Sequence, residues 1–411
     1  MRNRRKSLNK LFGNASDTNT YICIECFDDS FLKTAIQNFN EQKCNICNNN
    51  KNPSISAELI SKLIKQIIPK YFDTYNKSHT SHESLNLDQV VSKVLGCNDS
   101  KFCTLMTSFL LSQTSNGTEH YFSVEKKYYE RKLKFETEEE KRVYLIDQWN
   151  IIAIKLTHSQ RYFNDDAERF FSSIFEEATQ AKTNTLFGMK STIIRQYEAG
   201  SELFRARRLD SPADEEKVLH APSKELGAPP KESAGHNRMN SAGIPLFYAA
   251  KDKATSIAEV RPSIGDNIAT VKFKTTRELI FFDFRGFNAP WEHARLSYFE
   301  DHYEERKNHR ALLSYLHRII SQPVRAGGSG YIITQAMAEY LSRKHTIKFD
   351  GIIFNSVQEK GGINYVIFSD KSSDLDLLKP NWQPTFPVEC IGKPSFHTVD
   401  TVKYGGNWHS K

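Results

Sequence analysis

The chain has 411 residues, a formal net charge of +7 and 39% hydrophobic residues. This composition is typical of globular proteins, and the length predicts two or three domains rather than one. No apolar run approaches the 18 residues of a membrane span, and the basic start MRNRRKSLNK is followed by polar residues, unlike a secretory signal. We therefore expect a cytoplasmic location and no membrane partner. The mild positive charge permits a nucleotide or RNA as partner, but nothing in the sequence requires nucleic acid.

Four of the seven cysteines lie near the start of the chain, in the pattern C-x2-C, seventeen residues, C-x2-C. Two thiolate pairs at this spacing can surround one Zn²⁺, which is a more specific explanation than unrelated free thiols. A closed four-cysteine site has no open coordination position, so we expect a structural role. Residues 1–52 are predicted to be a zinc-binding ribbon. The ligands are Cys23, Cys26, Cys44 and Cys47.

Residues 53–195 are predicted to form a helical domain, because apolar residues recur there at helical spacing. One stripe runs from Ile60 to Ile68 and another from Leu87 to Leu95, with Gly96 placed as a C-cap. An acidic start near residue 136 begins a long helix, and Asn164 or Asp165 caps the next one. Such stripes favour a helix-bundle core over a ligand site.

After residue 195, short apolar or aromatic runs separated by turn residues replace the helical patterns. They predict an α+β domain over residues 196–390 with a mainly antiparallel or mixed sheet. Residues 210–236 are expected to be a long surface loop, and residues 391–411 a tail. The predicted strands are ELFRARR, IPLFYAA, NIATVKFKT, ELIFFDF, DGIIFNS and INYVIFS, and the predicted helices are 252–260, about 293–320 and 331–344.

The stretch FYAAKDKATSIAEVRP predicts a short helix that Asp252 caps and Pro262 ends. On a helical wheel Ala254, Ile257 and Ala258 share one face, and Glu259 points away from them. By periodicity alone, Glu259 is a solvated surface residue.

Several polar residues lie on or beside the predicted strands. Arg205 and Arg207 share one face of a strand, where phosphate would suit their guanidinium groups, although periodicity alone favours a wet outer face. Arg238 and Asn240 lie in a glycine-containing turn before a strand ending at Tyr248, which is either a pyrophosphate or ribose contact or a plain hairpin corner.

Ser356 ends a predicted strand, where serine is usually only a turn former. It has no G-x-S-x-G context, so a hydrolase-type nucleophile is not expected. The chain also has no Walker loop, G-x-G-x-x-G or H-E-x-x-H motif. These absences remove the commonest nucleotide-binding and metalloprotease interpretations.

The segments FRAR, NRMNSAGIPLFYAA, AEV, YIITQAMAEYL and DGIIFNS…GGINYVIF resemble, in order and style, the RES domain family over about residues 200–370. The N-terminal part also looks like the HEPN/RES N-terminal region. The resemblance implies an ADP-ribosyltransferase-like fold and a toxin-type activity that degrades NAD⁺. It places the signature Arg at Arg205, with Arg238 in the following turn, the signature Glu at Glu259 and the signature Ser at Ser356. HNRMN replaces the usual Gly-Gly-Arg, which leaves the choice between the arginines open.

This resemblance implies that Glu259 stabilises positive charge on the ribose as nicotinamide leaves. Arg205 and Arg238 would bind the pyrophosphate, Tyr248 would stack on nicotinamide or adenine, and Ser356 would orient the ribose or the carboxylate. NAD⁺ is then a substrate, and water, phosphate or a protein is the acceptor.

Alternatives stay open at this point. The same site could serve a protein ADP-ribosyltransferase, and a zinc-ribbon nucleic-acid-binding protein could carry a RES-like domain that only senses a nucleotide. The partners expected besides NAD⁺ are an antitoxin or regulatory protein and a second copy of the chain.

Overall fold

The chain divides into two compact units, one made of residues 1–138 and 295–307 and the other of residues 139–294 and 308–411. These units differ from the ranges 53–195 and 196–390 expected from the sequence, because the helices that follow residue 138 belong to the second unit. The computed structural model describes residues 20–74, 84–112, 121–131, 138–185, 188–191, 193–288, 295–300, 302–310, 313 and 331–402.

The first unit packs helices and two small strand pairs around one core. The apolar stripe of the helix Leu87–Leu95 is fully buried, and its ends are fixed by a capping box at Asn86 and by Gly96 in the left-handed region at φ 66°. In chain order the elements are β1 Tyr21–Cys23, a 3₁₀ turn Ile24–Cys26, α1 Ser30–Ile36, β2 Ser54–Ser56, α2 Ala57–Tyr71, β3 Phe72–Asp73, α3 Leu87–Leu95, α4 Ser100–Ser112 and β4 Tyr129–Glu130.

Residues 295–307 return from the middle of the chain to complete this core. Leu296, Tyr298, Phe299 and Tyr303 are all at most 9% exposed and belong to the same apolar cluster as α2 and α3. Of the helix expected at about 293–320, residues 303–310 are helical, and most of the remainder lies outside the described residues.

The second unit is built on a large sheet covered by helices. Its strands are β5 Lys182–Thr185, β6 Gly188–Ser191, β7 Ile194–Tyr197, β8 Glu202–Leu209, β9 Phe247–Ala250, β10 Asn267–Thr275, β11 Leu279–Asp283, β12 Gly351–Asn355, β13 Ile363–Ile367 and β14 Val388–Thr398. Its helices are α5 Glu138–Ile154, continued by a π-turn Lys155–Ser159, α6 Asp165–Gln180, α7 Pro212–His220, α8 Pro222–Glu225, α9 Lys253–Glu259, α10 Ile332–Arg343 and α11 Asp374–Leu377, with 3₁₀ turns Lys231–Ser233 and Phe284–Asn288.

Eight of these strands form one mixed sheet in the order β14-β10-β8-β9-β13-β12-β11-β7. All neighbours are antiparallel except β11 and β12, which are parallel. The α+β class and the six strands predicted from the sequence are therefore confirmed. Strands β8 and β9 share only the pair Phe204 and Ala250, so the sheet parts at this point.

Helices cover both faces of the sheet. On one face α5, α6 and α10 bury residues such as Phe171, Phe175 and Met337 against Phe282. On the other face Val218 of α7 and Leu226, which follows α8, belong to a second apolar cluster with β8, β10 and β13.

Two expectations about connecting segments are wrong. Residues 210–236 contain α7 and α8, since a proline suits the first turn of each helix and Val218 and Leu226 are buried in the core. Residues 391–398 are not part of a tail but belong to β14, which pairs with β10 along its length. Among the described residues, no helix combines the length and apolarity that a bilayer crossing needs.

Candidate functional site

A cavity of about 460 Å³ opens where β8 and β9 part. Its walls come from these two strands, from α9, from the loop 236–240 and from the start of the segment that leads into α10. Five of the residues singled out in the sequence line it, and these are Arg205, Arg238, Asn240, Tyr248 and Glu259.

Helix α9 presents its polar side to the interior, not the apolar stripe expected from the helical wheel. Thr255 and Ser256 are at most 5% exposed, whereas Ala254 is exposed. Asp252 caps the helix as predicted, accepting hydrogen bonds from the amide and the hydroxyl of Thr255 at 2.8 Å each. Glu259 lies three residues after Ser256, on the same side of the helix, and both residues line the cavity.

The carboxylate of Glu259 is held through one oxygen only. Ser356 donates its hydroxyl to Oε1 at 2.5 Å, and Asn364 donates its side-chain amide to the same oxygen at 2.7 Å. Within the described residues, Oε2 makes no hydrogen bond with the protein and the side chain is exposed to the cavity. One oxygen thus fixes the orientation and the other is free to meet a ligand.

Ser356 is committed to this arrangement by its own backbone contacts. Its Oγ accepts hydrogen bonds from the amides of Gln358 at 3.1 Å and Glu359 at 3.0 Å, so its single hydrogen points to Glu259. The close approach of this turn to α9 requires Gly362, because a Cβ there would lie 2.6 Å from the hydroxyl of Thr255. Ser356 therefore acts on Glu259, and it does not itself line the cavity.

Arg205 and Tyr248 form the wall contributed by the diverging strands. The guanidinium of Arg205 donates to the carbonyl oxygen of Tyr248 at 2.6 Å and has no carboxylate partner in the described chain. Burial lowers the pKa of Arg205 to about 10, so the cation persists at neutral pH at an energetic cost that a bound anion would offset. Burial likewise raises the pKa of Tyr248.

The loop that carries Arg238 is fixed from α10. The side-chain amide of Gln335 donates to the carbonyl oxygens of Asn237 at 2.7 Å and Asn240 at 2.9 Å. Thr334 donates its hydroxyl to the carbonyl oxygen of Arg238 at 2.6 Å. Burial lowers the pKa of Arg238, which again favours an anionic ligand.

Asn240 lines the cavity, but its side chain is occupied by protein groups. Its Oδ1 accepts the hydroxyl of Tyr248 at 2.8 Å, and its Nδ2 donates to the carbonyl oxygens of Gly235 and Ser241. The geometry favours a role in positioning Tyr248 and the loop over direct contact with a ligand.

Arg207 lies apart from the other candidates. It shares the sheet face of Arg205 as expected, but it faces a neighbouring shallow depression and pairs with the carboxylate of Glu225 at 2.7 Å. The structure does not bring Arg207 to the cavity.

The charge balance of the cavity is positive. Among the described residues, Arg205, Arg238 and Arg261 line it together with one carboxylate, that of Glu259. The cavity therefore suits a ligand with an anionic group for the arginines and a neutral hydroxyl-bearing group, such as a ribose, beside the carboxylate.

Residues 202–388 match the RES domain. Searches of curated proteins and of solved structures find no match to the chain. The RES match begins with β8 and ends at the first residue of β14, so it contains all of the described residues that line the cavity. The two outer strands of the sheet, β7 and most of β14, lie beyond it.

Two residues of the RES region were missed by sequence reasoning. Asn364 is 5% exposed and holds Glu259, and its only signal is a polar residue at an inward position of the apolar strand INYVIF. Arg261 lines the cavity next to Glu259. In the sequence, Arg261 and Pro262 predict only the end of a helix.

The four N-terminal cysteines form a cluster in the first unit. Their sulphur atoms all lie within 4.8 Å of one another, with Sγ–Sγ distances of 3.7 Å for Cys23 to Cys26, 3.5 Å for Cys23 to Cys47 and 3.7 Å for Cys26 to Cys44. A tetrahedral zinc with Zn–S bonds of about 2.3 Å places sulphurs about 3.8 Å apart, so the cluster fits the metal.

Backbone amides stabilise negative charge at one of these thiols. Burial by itself would raise the pKa of Cys44, but hydrogen bonds from the amides of Cys47, Cys23 and Ile46 lower it to about 7. Burial and the neighbouring thiols raise the pKa values of Cys23 and Cys26, so a bound cation would supply the stabilisation that their thiolate forms need.

Proposed function

We propose that this protein cleaves the bond between nicotinamide and ribose in NAD⁺, as a glycohydrolase or phosphorylase that depletes cellular NAD⁺. The observation that carries the proposal is the half-held carboxylate of Glu259, whose Oε1 is fixed by Ser356 and Asn364 while Oε2 faces the cavity. The RES domain match and the surplus of arginines support the same substrate, and an ADP-ribosyltransferase-like fold is part of the proposal.

The chemistry follows from the charges. As the bond from ribose C1′ to the pyridinium nitrogen breaks, its electron pair neutralises the nicotinamide and leaves positive charge on the sugar. Glu259, held rigid beforehand, stabilises that charge through Oε2. Water then adds at C1′ and loses a proton to solvent, or inorganic phosphate adds there instead.

The remaining residues bind or position. Arg205 and Arg238 bind the pyrophosphate through guanidinium hydrogen bonds, and the ring of Tyr248 packs against a base. Ser356 and Asn364 act through Glu259 as positioning residues. The zinc cluster stabilises the first unit and takes no part in bond cleavage.

The decisive experiment follows nicotinamide release from NAD⁺ by the full-length protein and by its Glu259→Gln variant, with and without phosphate. Glutamine keeps an acceptor for Ser356 and Asn364 but removes the charge, so we expect the rate to fall by about 100-fold or more. Absence of release by the wild-type protein in both buffers would refute the proposal. Equal activity of the variant would remove Glu259 from the mechanism.

The reaction products show whether water, phosphate or a protein is the acceptor. Chromatography distinguishes free ADP-ribose from its phosphate ester, and label transferred from NAD⁺ to protein would identify an ADP-ribosyltransferase instead. In cells, expression of the wild-type chain is expected to lower NAD⁺ and stop growth, while the Glu259→Gln variant does neither.

A further inference from the structure

Arg261 has a backbone conformation that its sequence position disfavours. It lies just beyond α9 at φ 50°, in the left-handed region where glycine or asparagine is the usual residue. It also precedes Pro262, and the residue before a proline is normally pushed toward extended conformations. Arginine therefore occupies this position against two local preferences.

Within the described chain, no hydrogen bond or ion pair of the Arg261 side chain offsets the energetic cost of this backbone conformation. The backbone amide of Arg261 donates to the carbonyl oxygen of Ala258 at 3.0 Å, a contact that any residue could make. Its guanidinium has no hydrogen bond or ion pair with the described residues, is exposed, and lines the cavity. Backbone strain that persists at a site without an internal contact points to a ligand contact.

Arg261 also lies within electrostatic reach of Arg238. The positive charge of Arg261 adds to burial in disfavouring the charged form of Arg238. Two like charges that repel each other in a free cavity become favourable together when one dianion lies between them.

We propose that Arg261 is a further substrate-binding residue that contacts the pyrophosphate of the dinucleotide together with Arg238. This inference rests on the proposed function, because it assigns the residue to the NAD⁺ pyrophosphate. Arg261 binds the substrate without touching the reacting atoms, so it acts on KM much more than on kcat.

The test compares Arg261→Asn with Arg261→Lys in the full-length protein. Asparagine tolerates the left-handed conformation and removes the cation, whereas lysine keeps the charge. The matched control is Arg169→Asn, which removes an arginine that is 76% exposed on α6, outside the cavity. The measurements are calorimetric binding of ADP-ribose, KM and kcat for NAD⁺, and the unfolding temperature of the ligand-free protein.

We expect Arg261→Asn to weaken ADP-ribose binding by about tenfold and to raise KM similarly, with kcat little changed. Its unfolding temperature should equal or exceed that of the wild type, because strain is relieved. Arg261→Lys should recover most of the affinity, and Arg169→Asn should bind like the wild type.

Unchanged ADP-ribose binding in Arg261→Asn overturns the inference, as does a lower unfolding temperature, which would make Arg261 structural. These failures differ from failure of the proposed function. In that case the wild-type protein itself neither binds ADP-ribose nor releases nicotinamide.

Discussion

Glu259 shows how a single carboxylate can be both fixed and available. Two donors from the hairpin of β12 and β13, Ser356 and Asn364, meet at one of its oxygens. The other oxygen is left to the cavity, which places a negative charge at a defined position without filling its hydrogen-bonding capacity. Such preorganisation costs no rearrangement when charge develops on a substrate.

At this scale we predict the effect of Asn364→Leu, which removes the amide donor and keeps a similar volume. A hydrogen bond to a charged group contributes about 1.5–3 kcal/mol, so kcat for NAD⁺ cleavage should fall by roughly 10- to 100-fold with a smaller change in KM. Steady-state kinetics and an unfolding curve measure this. Asn267→Leu, an exposed position at the start of β10, is the control.

Combining Asn364→Leu with Ser356→Ala should cost less than the sum of the two single effects, because both donors serve the same oxygen. Strict additivity, or kcat unchanged in Asn364→Leu, would contradict the positioning role.

The sequence singles out Glu259 as a candidate, and the structure places it at the cavity, but the surroundings of Glu259 do not follow from the sequence. Periodicity placed Ala254, Ile257 and Ala258 on the buried face, whereas the structure buries Thr255 and Ser256. A seven-residue helix buries little apolar area, so a polar cavity wall decides which side faces inward. Asn364 contacts Glu259 across 105 residues of sequence, and no local pattern encodes such a pairing.

At the scale of elements, α10 acts as the support of the loop 236–240. Thr334 and Gln335 are both buried, and they donate hydrogen bonds to three carbonyl oxygens of the loop. The acceptors belong to Asn237, Arg238 and Asn240. The arginine of this loop is therefore positioned by a helix rather than by the loop itself.

We predict that Gln335→Leu loosens this support. It leaves the carbonyl oxygens of Asn237 and Asn240 without their donor, so KM for NAD⁺ should rise by about tenfold as Arg238 loses its position. Kinetics measured beside an unfolding curve separate this effect from general destabilisation. The control Glu339→Gln changes an exposed residue of the same helix. An unchanged KM in the Leu variant would show that the loop holds its shape without α10.

Strands and capped helices were predictable because their signals are local. The run NIATVKFKT corresponds to β10 residue for residue, and Asn164 caps α6 as expected. Strand β14 and helix α7 are not predicted, because their sequences are polar. Strand β14 is decided by long-range pairing with β10. Helix α7 is decided by the burial of Val218.

At the scale of the whole molecule, the cysteine cluster lies in one unit and the cavity in the other. In the described part of the segment that contains the cluster, secondary structure is limited to two short β-strands, a 3₁₀ turn and one short helix. A bound metal would contribute much of its folding free energy.

We predict one zinc ion per chain in the purified protein, measured by elemental analysis. Chelation or Cys44→Ser should remove the metal and lower the unfolding temperature, since zinc binding to small modules contributes on the order of 10 kcal/mol. Cys390→Ser, outside the cluster, is the control and should retain the metal. A protein that unfolds identically with and without chelator would rule out a structural zinc.

Because residues 295–307 return to the first unit, the region that matches the RES domain is incomplete as a separate polypeptide. These residues fall inside the RES match, yet their apolar side chains are buried by the N-terminal helices. A fragment limited to residues 202–388 would expose Leu296, Tyr298, Phe299 and Tyr303 to water and invite aggregation. The RES region is therefore not an independent module. Its transfer to another protein would require the N-terminal helices that bury residues 295–307 to be included.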